Sequence, residues 1–414
     1  MSHSVSPVTR TLLLPAPLKT ALEAKIKDIA TSLEQYGSAS TELGLLTGKP
    51  GIAIFYFYLY RFTQDERYAD LVSAQLIEAF DILNSGEKNH RFCTGIGGFC
   101  WTLEFLADEG FLDREEVEEP LAQLDEFISR SMMEDMEEGY YDYLHGALGT
   151  GLYYLRQIED VPAARQHLER LIGQLERFGI RDGDGTVKWE SQVDIETGMR
   201  GFNLSLSHGL ASIIYFLSKA LNAQVSPERT RTLLEESVRY MLSKEQSMTE
   251  VGSAFPSWIT TEKPGKSRLS WCYGDMGIAF SLYEAARALG DTSLEEKALE
   301  ILSSTCSRRK LEEEFVMDAG LCHGAAGLAH MYNRMYRNTG KEIFADASRF
   351  WLQETLKMAT FPDGMGGYKT WKTEKYGGWL NEAGVLEGAA GIGLALLAAV
   401  SESDPAWDAC LCLS

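Results

Sequence analysis

Two cysteines and a histidine occur beside glycines in two short, similar segments. Cys272 lies in RLSWCYGDMG, and Cys322 with His323 lies in LCHGAAG. Thiolate and imidazole are the ligands that zinc prefers in proteins, and a catalytic zinc keeps one coordination position open. A thiol that enters such a position is held as the thiolate. The pattern therefore predicts one Zn²⁺ per chain that activates a thiol. The alternative is that both cysteines are buried small apolar residues, as free cysteines often are.

Three further polar residues lie close to glycines of the same kind. His208 precedes Gly209, and it could be a general acid or base, a fourth zinc ligand, or a hydrogen-bonded residue at a helix start. Asp142, four residues before Gly146, could cap a helix or take part in catalysis. Arg268 precedes Cys272 by four residues and could face an anion, pair with Asp142 or lie in solvent.

These residues belong to a repeat that predicts how they are positioned. A glycine-containing turn feeds into an apolar stretch seven times, at intervals of about 50 to 65 residues, which fits a pair of helices per unit. The glycine should allow an unusual backbone angle and a close approach at the helix start. The seven segments are LLTGKPGIAIFYFYLY, CTGIGGFCWTLEFL, LHGALGTGLYYL, LSHGLASIIYFL, WCYGDMGIAFSLY, LCHGAAGLAHMY and LEGAAGIGLALL.

The segments between these apolar stretches are amphipathic, as in RTLLEESVRYML, and should form outer helices around buried inner ones. An open solenoid would need polar terminal repeats, which the first and last units do not resemble. We therefore expect an all-α fold: an α/α toroid of seven inner and seven outer helices, in one domain over 1–414. All seven glycine turns should then meet at one end. The alternative is an irregular helical protein with many glycine turns.

One stretch departs from the helical pattern. Residues 180–203, with DGDG and β-branched residues, predict an inserted β or loop excursion. Excursions of this kind often carry function.

Composition excludes several classes of protein. The 414-residue chain has a net charge of −21, so it has no basic surplus for binding nucleic acid. An acidic protein could attract a cationic peptide. No apolar run is long enough to span a bilayer, and no secretory signal is evident. Seven cysteines in a chain of this length do not form a disulfide scaffold, which indicates a cytoplasmic protein with reduced thiols.

The segments SLSHGLASI, RLSWCYGDMGIA and LCHGAAGLAHMY resemble the lanthionine synthetase C-like family, with supporting turns at YDYLHGALGTG and LEGAAGIGLAL. The resemblance implies a toroid with zinc in its central mouth. By matching motifs, the zinc ligands would be Cys272, Cys322 and His323, and His208 would be the acid/base residue. Asp142, Arg268 and Tyr273 would surround the active site. His145, in the third glycine turn, departs from the expected pattern, and its role is open.

The same resemblance implies a stand-alone cyclase of the class I type. It would add a Cys thiol to dehydroalanine or dehydrobutyrine within a dehydrated precursor peptide, forming thioether rings. It leaves open whether a dehydratase and an exporter bind the chain, in a complex at the membrane. One alternative is a relative that binds or adds glutathione, and another is a non-catalytic zinc-stabilised scaffold with His208 as fourth ligand. A prenyltransferase is disfavoured because its zinc set normally includes an Asp.

Overall fold

Amphipathic and buried helices alternate along the chain in the computed structural model, which describes residues 10–37, 41–194, 199–261 and 263–414. Seven amphipathic helices, numbered in chain order with the buried ones, are α1 (Ala16–Tyr36), α3 (Glu66–Asn84), α5 (Arg114–Glu138), α7 (Pro162–Phe178), α9 (Pro227–Leu242), α12 (Thr292–Thr305) and α14 (Glu342–Lys357). In α7, for example, Leu168, Leu171, Ile172 and Leu175 form one buried stripe, the spacing of an amphipathic helix with one face on the core.

The buried helices each follow one of the seven glycine turns. Within the described residues they are α2 (Lys49–Thr63), α4 (Ile96–Asp108), α6 (Ala147–Arg156), α8 (Leu210–Asn222), α11 (Asp275–Leu289), α13 (Ala325–Thr339) and α15 (Ala389–Val400). Helix α4 is buried on every side from Ile96 to Leu106. Their sequences are apolar nearly all round, which is why they occupy the interior.

The chain forms two compact units. In the first, comprising 10–37, 51–76 and 306–414 of the described residues, α13 packs on α14 and α15, and α1 packs on α15. In the second, comprising 41–50 and 77–305, α4, α6, α8 and α11 pack in that order. There α5, α7, α9 and α12 cover them from outside, one for each buried helix. The prediction of a single domain over 1–414 stays a prediction.

Neighbouring glycine turns are joined by backbone hydrogen bonds within each unit. In each case an amide of the earlier turn donates to a carbonyl of the later turn, over 2.8–3.1 Å. The pairs, donor first, are Leu46 and Cys93, Cys93 and Leu144, Leu206 and Cys272, and Cys322 and Leu386. Buried amides must find such acceptors. The residues beside the glycines are therefore held side by side.

The glycines are required mainly by close packing. A Cβ on Gly95 would lie 2.0 Å from the Asn89 carbonyl oxygen, although its φ of −146° is extended and open to any residue. Gly274 differs because its φ is +95°, in addition to a 2.2 Å approach to the Arg268 carbonyl. The expected unusual backbone angle thus holds at Gly274, whereas steric approach alone explains Gly95.

Short strands interrupt the helices at two places. The excursion predicted at 180–203 contains β1 (Ser191–Asp194) and β2 (Met199–Asn203), paired antiparallel, and β2 pairs with β3 (Trp258–Ile259). The β-containing excursion is thereby confirmed, with 195–198 outside the described residues. A second hairpin, β4 (Thr370–Trp371) and β5 (Trp379–Leu380), was not predicted.

The remaining described elements are the short helix α10 (Met248–Val251) and two 3-10 turns, Glu374–Tyr376 and Ala406–Leu411. Within the described part of the chain, we find no helix with both the length and the apolar character needed to cross a bilayer.

Candidate active site

The structure brings the three predicted zinc ligands together. The ligand atoms of Cys272, Cys322 and His323 all lie within 4.8 Å of one another. Both cysteines are buried and His323 is half-buried. Zinc with bonds of about 2.0–2.3 Å in a tetrahedron sets its ligand atoms roughly 3.3–3.8 Å apart. Two thiols and one imidazole at the observed separation therefore fit a zinc ion after shifts on the order of 1 Å.

Local hydrogen bonds position the two cysteines. The Cys272 carbonyl accepts from the Leu206 amide at 3.1 Å, and the Cys272 Sγ lies 3.4 Å from the Ser270 Oγ. The Cys322 amide donates to the Leu386 carbonyl at 2.8 Å. Each sulfur thus projects from a turn whose backbone is fixed by the neighbouring turn. Their burial keeps the thiol groups away from bulk solvent.

Asp142 and His208 form a pair within the second unit. The His208 Nδ1 lies 3.4 Å from the Asp142 Oδ2, and the Asp142 Oδ1 accepts from the His145 amide at 2.6 Å. Burial acts to raise the pKa of Asp142. The hydrogen bond and charge of His208, together with the His145 amide, outweigh burial and hold that pKa below its usual value. A carboxylate at Nδ1 favours the tautomer with its proton there, which leaves Nε2 as the atom that exchanges protons.

His145 stacks on His208. Their ring centroids are 5.7 Å apart with an interplanar angle of 24°. Burial lowers the pKa of His145, and the charges of His208 and Arg91 lower it further, against the opposing charge of Asp142. A neutral His145 next to His208 avoids repulsion between two imidazolium ions. The residue therefore belongs to the same cluster, and the resemblance did not foresee it.

Tyr273 lies between the Asp142–His208 pair and the turn that carries Cys272. Its ring centroid lies 6.2 Å from that of His208 and 6.5 Å from that of Trp258, and it follows Cys272 directly in the sequence. Asp142, His208, Tyr273 and Trp258 line a cleft of about 360 Å³ whose other wall includes residues of β1 and β2. The cleft gives a ligand access to the Asp142–His208 pair from the side of the excursion.

Arg268 begins the turn that carries Cys272 and is half-buried. Its carbonyl packs against Gly274. Its proposed contacts with an anion or with Asp142 remain predictions, as does its role. Asp142 itself lies beside His208.

Two residues near Cys322 and His323 were not foreseen. The Asp318 carboxylate is buried, with its Oδ2 4.0 Å from the His323 Nε2. Lys372, which follows β4, forms an ion pair with Glu387. Burial acts to lower the pKa of Lys372, but Glu387, Glu382 and Cys322 together raise it above its usual value. The Gly377–Gly378 pair, flanked by Tyr376 and Trp379, is the hairpin signal that would have indicated this segment.

Comparison with known proteins identifies relatives over most of the chain. The family described as "Lanthionine synthetase C-like protein" matches residues 39–412. The "Glutathione S-transferase LANCL1" of Danio rerio is 23% identical over 336 residues, covering 77% of this chain and 76% of that protein. The "Nisin biosynthesis protein NisC" of Lactococcus lactis subsp. lactis is 24% identical over 328 residues, covering 72% and 76% respectively.

A solved structure shows the same fold. "Nisin cyclase" superposes with a TM-score of 0.76 at 20% sequence identity, covering 96% of this chain and 98% of the other. The fold predicted from the repeat, a helical α/α toroid, is thereby confirmed. At this level of identity the likeness concerns the fold alone.

Proposed function

The chain belongs to the lanthionine synthetase C-like family, and from that membership we propose that it is a zinc-dependent lanthipeptide cyclase. The reaction would be the intramolecular addition of a peptide Cys thiol to dehydroalanine or dehydrobutyrine. The observation that carries the proposal is the Cys272, Cys322 and His323 group. Tyr273, next to Cys272 in the chain, packs near the Asp142–His208 pair. The site thus offers thiol activation and proton transfer together.

Cys272, Cys322 and His323 would hold the zinc ion. When bound, zinc supplies the positive charge that keeps a substrate thiol ionised near neutral pH, where a free Cys with a pKa of about 8.5 is mostly protonated. The three-residue group found among the described side chains does not include His208. This supports an open coordination position, and it favours an acid/base role for His208 over a fourth-ligand role.

We assign proton transfer to the Asp142–His208 pair. The substrate sulfur would form a bond to the β-carbon of the dehydro residue while the carbon–carbon π bond breaks. That electron pair moves toward the carbonyl as an enolate. His208 would then donate a proton from Nε2 to the α-carbon, and the proton lost by the substrate thiol balances this transfer. Asp142 stabilises the imidazolium form before donation because its carboxylate faces Nδ1. Arg268 and Tyr273 are proposed to stabilise the enolate.

The partner in this proposal is a dehydrated precursor peptide with a leader and a Cys-containing core. The cleft beside β1 and β2, which Asp142 and His208 line, is where we propose that the peptide lies. The net charge of −21 favours a cationic peptide. We place this reaction in the cytoplasm, peripheral to a membrane-bound complex where a dehydratase and an exporter take part.

A second candidate function is addition of glutathione to a dehydro residue. It is favoured by the likeness to the protein named as a glutathione S-transferase, which is 23% identical and covers 77% of this chain. The same zinc group and the same proton donor would serve, because the bond formed is the same. The difference lies in the source of the thiol.

One experiment separates the two functions. A synthetic peptide with one Cys and one dehydroalanine is incubated with purified protein, with and without glutathione. A cyclase removes the peptide thiol with no change in peptide mass. A glutathione transferase increases the mass by one glutathione and leaves the peptide thiol titratable. Retention of the thiol and of the mass in every mixture, across several peptides, would contradict both and favour the zinc-stabilised scaffold.

A further inference from the structure

A turn built on an Asn or Asp side chain recurs seven residues before three of the buried helices. Asn89, Asn203 and Asp318 stand at this position before α4, α8 and α13. In each turn the side-chain Oδ1 accepts from the amide two residues later, at 3.2, 2.9 and 3.0 Å. An amide oxygen is sufficient for this Asx turn. The negative charge of Asp318 is therefore not needed for the turn itself.

The second oxygen of Asp318 is used differently. Its Oδ2 accepts from the Trp371 amide at 2.8 Å and lies 4.0 Å from the His323 Nε2. The side chain is only 1% exposed. A buried carboxylate costs free energy unless hydrogen bonds or an opposite charge compensate it. A nearby metal-bound imidazole would supply that compensation and would account for a carboxylate where the equivalent turns have an amide.

We propose that Asp318 is a positioning residue for the zinc ligand His323. Histidines that bind metals generally donate their second ring N–H to a carboxylate or carbonyl, which fixes the ring and raises its basicity. With Nε2 directed at Asp318, Nδ1 is the nitrogen available to the metal. The 4.0 Å separation exceeds a direct hydrogen bond, and a small rotation of the imidazole or one bridging water closes it. This inference rests on the zinc site of the proposed function.

The test is the zinc affinity of the Asp318→Asn variant. Asn supports the Asx turn at the equivalent places in this chain, so the variant should fold, yet it removes the charge. We expect its zinc Kd, measured by competition with a chromogenic chelator, to weaken by about 10- to 100-fold. The NH₂ group of Asn would replace Oδ2 beside the Trp371 amide, so two donors would face each other there. The melting temperature of the metal-free protein should therefore fall by roughly 2–6 °C, with the fold retained. With cobalt in place of zinc, the ligand-field absorption should shift, because the imidazole is held less rigidly.

Asn89→Asp is the matched control. It makes the reverse exchange in an equivalent turn and disrupts the hydrogen bonds from the Asn89 side chain to Thr94. It should lower the melting temperature and leave the zinc Kd unchanged.

Two outcomes would overturn the role of Asp318 while leaving the zinc site intact. One is an Asp318→Asn protein that binds zinc as tightly as the wild type. The other is a metal-free Asp318→Asn protein that is unfolded, since the charge would then be serving the fold. Failure of the wild-type protein itself to bind zinc would instead contradict the proposed function.

Discussion

Replacing Asp142 by Asn tests how the carboxylate acts on His208. The Asn side-chain oxygen should remain on the His145 amide, where the Asp142 Oδ1 already accepts at 2.6 Å. The NH₂ group would then face the His208 Nδ1 at the position of Oδ2, 3.4 Å away. Two donors cannot share that contact, so neutral His208 must adopt the tautomer with its proton on Nε2. Its imidazolium form also loses the neighbouring negative charge.

The size of the effect follows from the geometry. Two unit charges 3.4 Å apart attract by about 5 kcal/mol at an effective dielectric constant of about 20. The side chains are 30% and 21% exposed, so we take solvent screening to remove about half, leaving about 2–3 kcal/mol. That corresponds to a cyclisation rate lowered by about 30- to 150-fold. The value lies at the lower end of the range for general acid–base catalysis, about 10²- to 10⁴-fold.

The assay is the single-turnover rate of thiol loss from a dehydrated, Cys-containing peptide, with zinc content measured on the same samples. Asp135→Asn is the control, because it makes the same change in another Asp–His pair, where the His90 Nε2 lies 2.8 Å from the Asp135 Oδ2. We expect the control to cyclise at the wild-type rate. An Asp142→Asn protein with full zinc and a rate within about threefold of wild type, a loss under 1 kcal/mol, would refute the acid/base pair.

Two further predictions concern stability. Burial acts to raise the pKa of Asp408, but Arg334 and His330 outweigh it and hold that pKa at about 2. The ionised Asp408 carboxylate, with these two partners, therefore stabilises the fold above pH about 4. This contribution is lost as the pH falls toward about 2. Asp408→Asn should lower the free energy of urea unfolding at pH 7 by about 3–5 kcal/mol, since Arg334 stays buried, and by less at pH 3; an equal loss at both pH values would contradict this. Gly95→Ala should cost at least about 2 kcal/mol, because its Cβ would lie 2.0 Å from the Asn89 carbonyl. Gly110→Ala is the control: its φ is +74° and an added Cβ would have no atom within 4 Å, so it should cost only about 1 kcal/mol in the same measurement. Similar losses in both variants would argue against close approach as the reason for glycine at position 95.

Periodic features of the fold were predictable from the sequence. Each buried helix has an apolar sequence that follows a glycine turn, and each amphipathic helix has a single stripe of apolar residues. The spacing of apolar residues in the sequence therefore indicates which residues are buried. The grouping of Cys272 with Cys322 and His323 was predicted from the same repeat, because these residues stand at equivalent places beside its glycines. The β excursion at 180–203 was visible from its turn residues.

Contacts that depend on single long-range approaches were not predictable. Asp142 lies beside His208, 66 residues along the chain, and no local pattern around either residue indicates that contact. The two-residue strands β4 and β5 are too short to show an alternating pattern. The second use of Asp318 depends on the Trp371 amide, 53 residues away. Repeats indicate which turns are neighbours, but the side-chain geometry within a turn is set by packing.

We propose that Cys272, Cys322 and His323 together hold one zinc ion. The zinc content of purified protein, measured by atomic emission, tests this for the wild type and for a Cys272→Ala, Cys322→Ala double variant. Cys306→Ala, which removes another buried thiol, is the control. We predict about one zinc per chain in the wild type and the control, and loss of the metal in the double variant. Full zinc content in the double variant would exclude the two cysteines as zinc ligands.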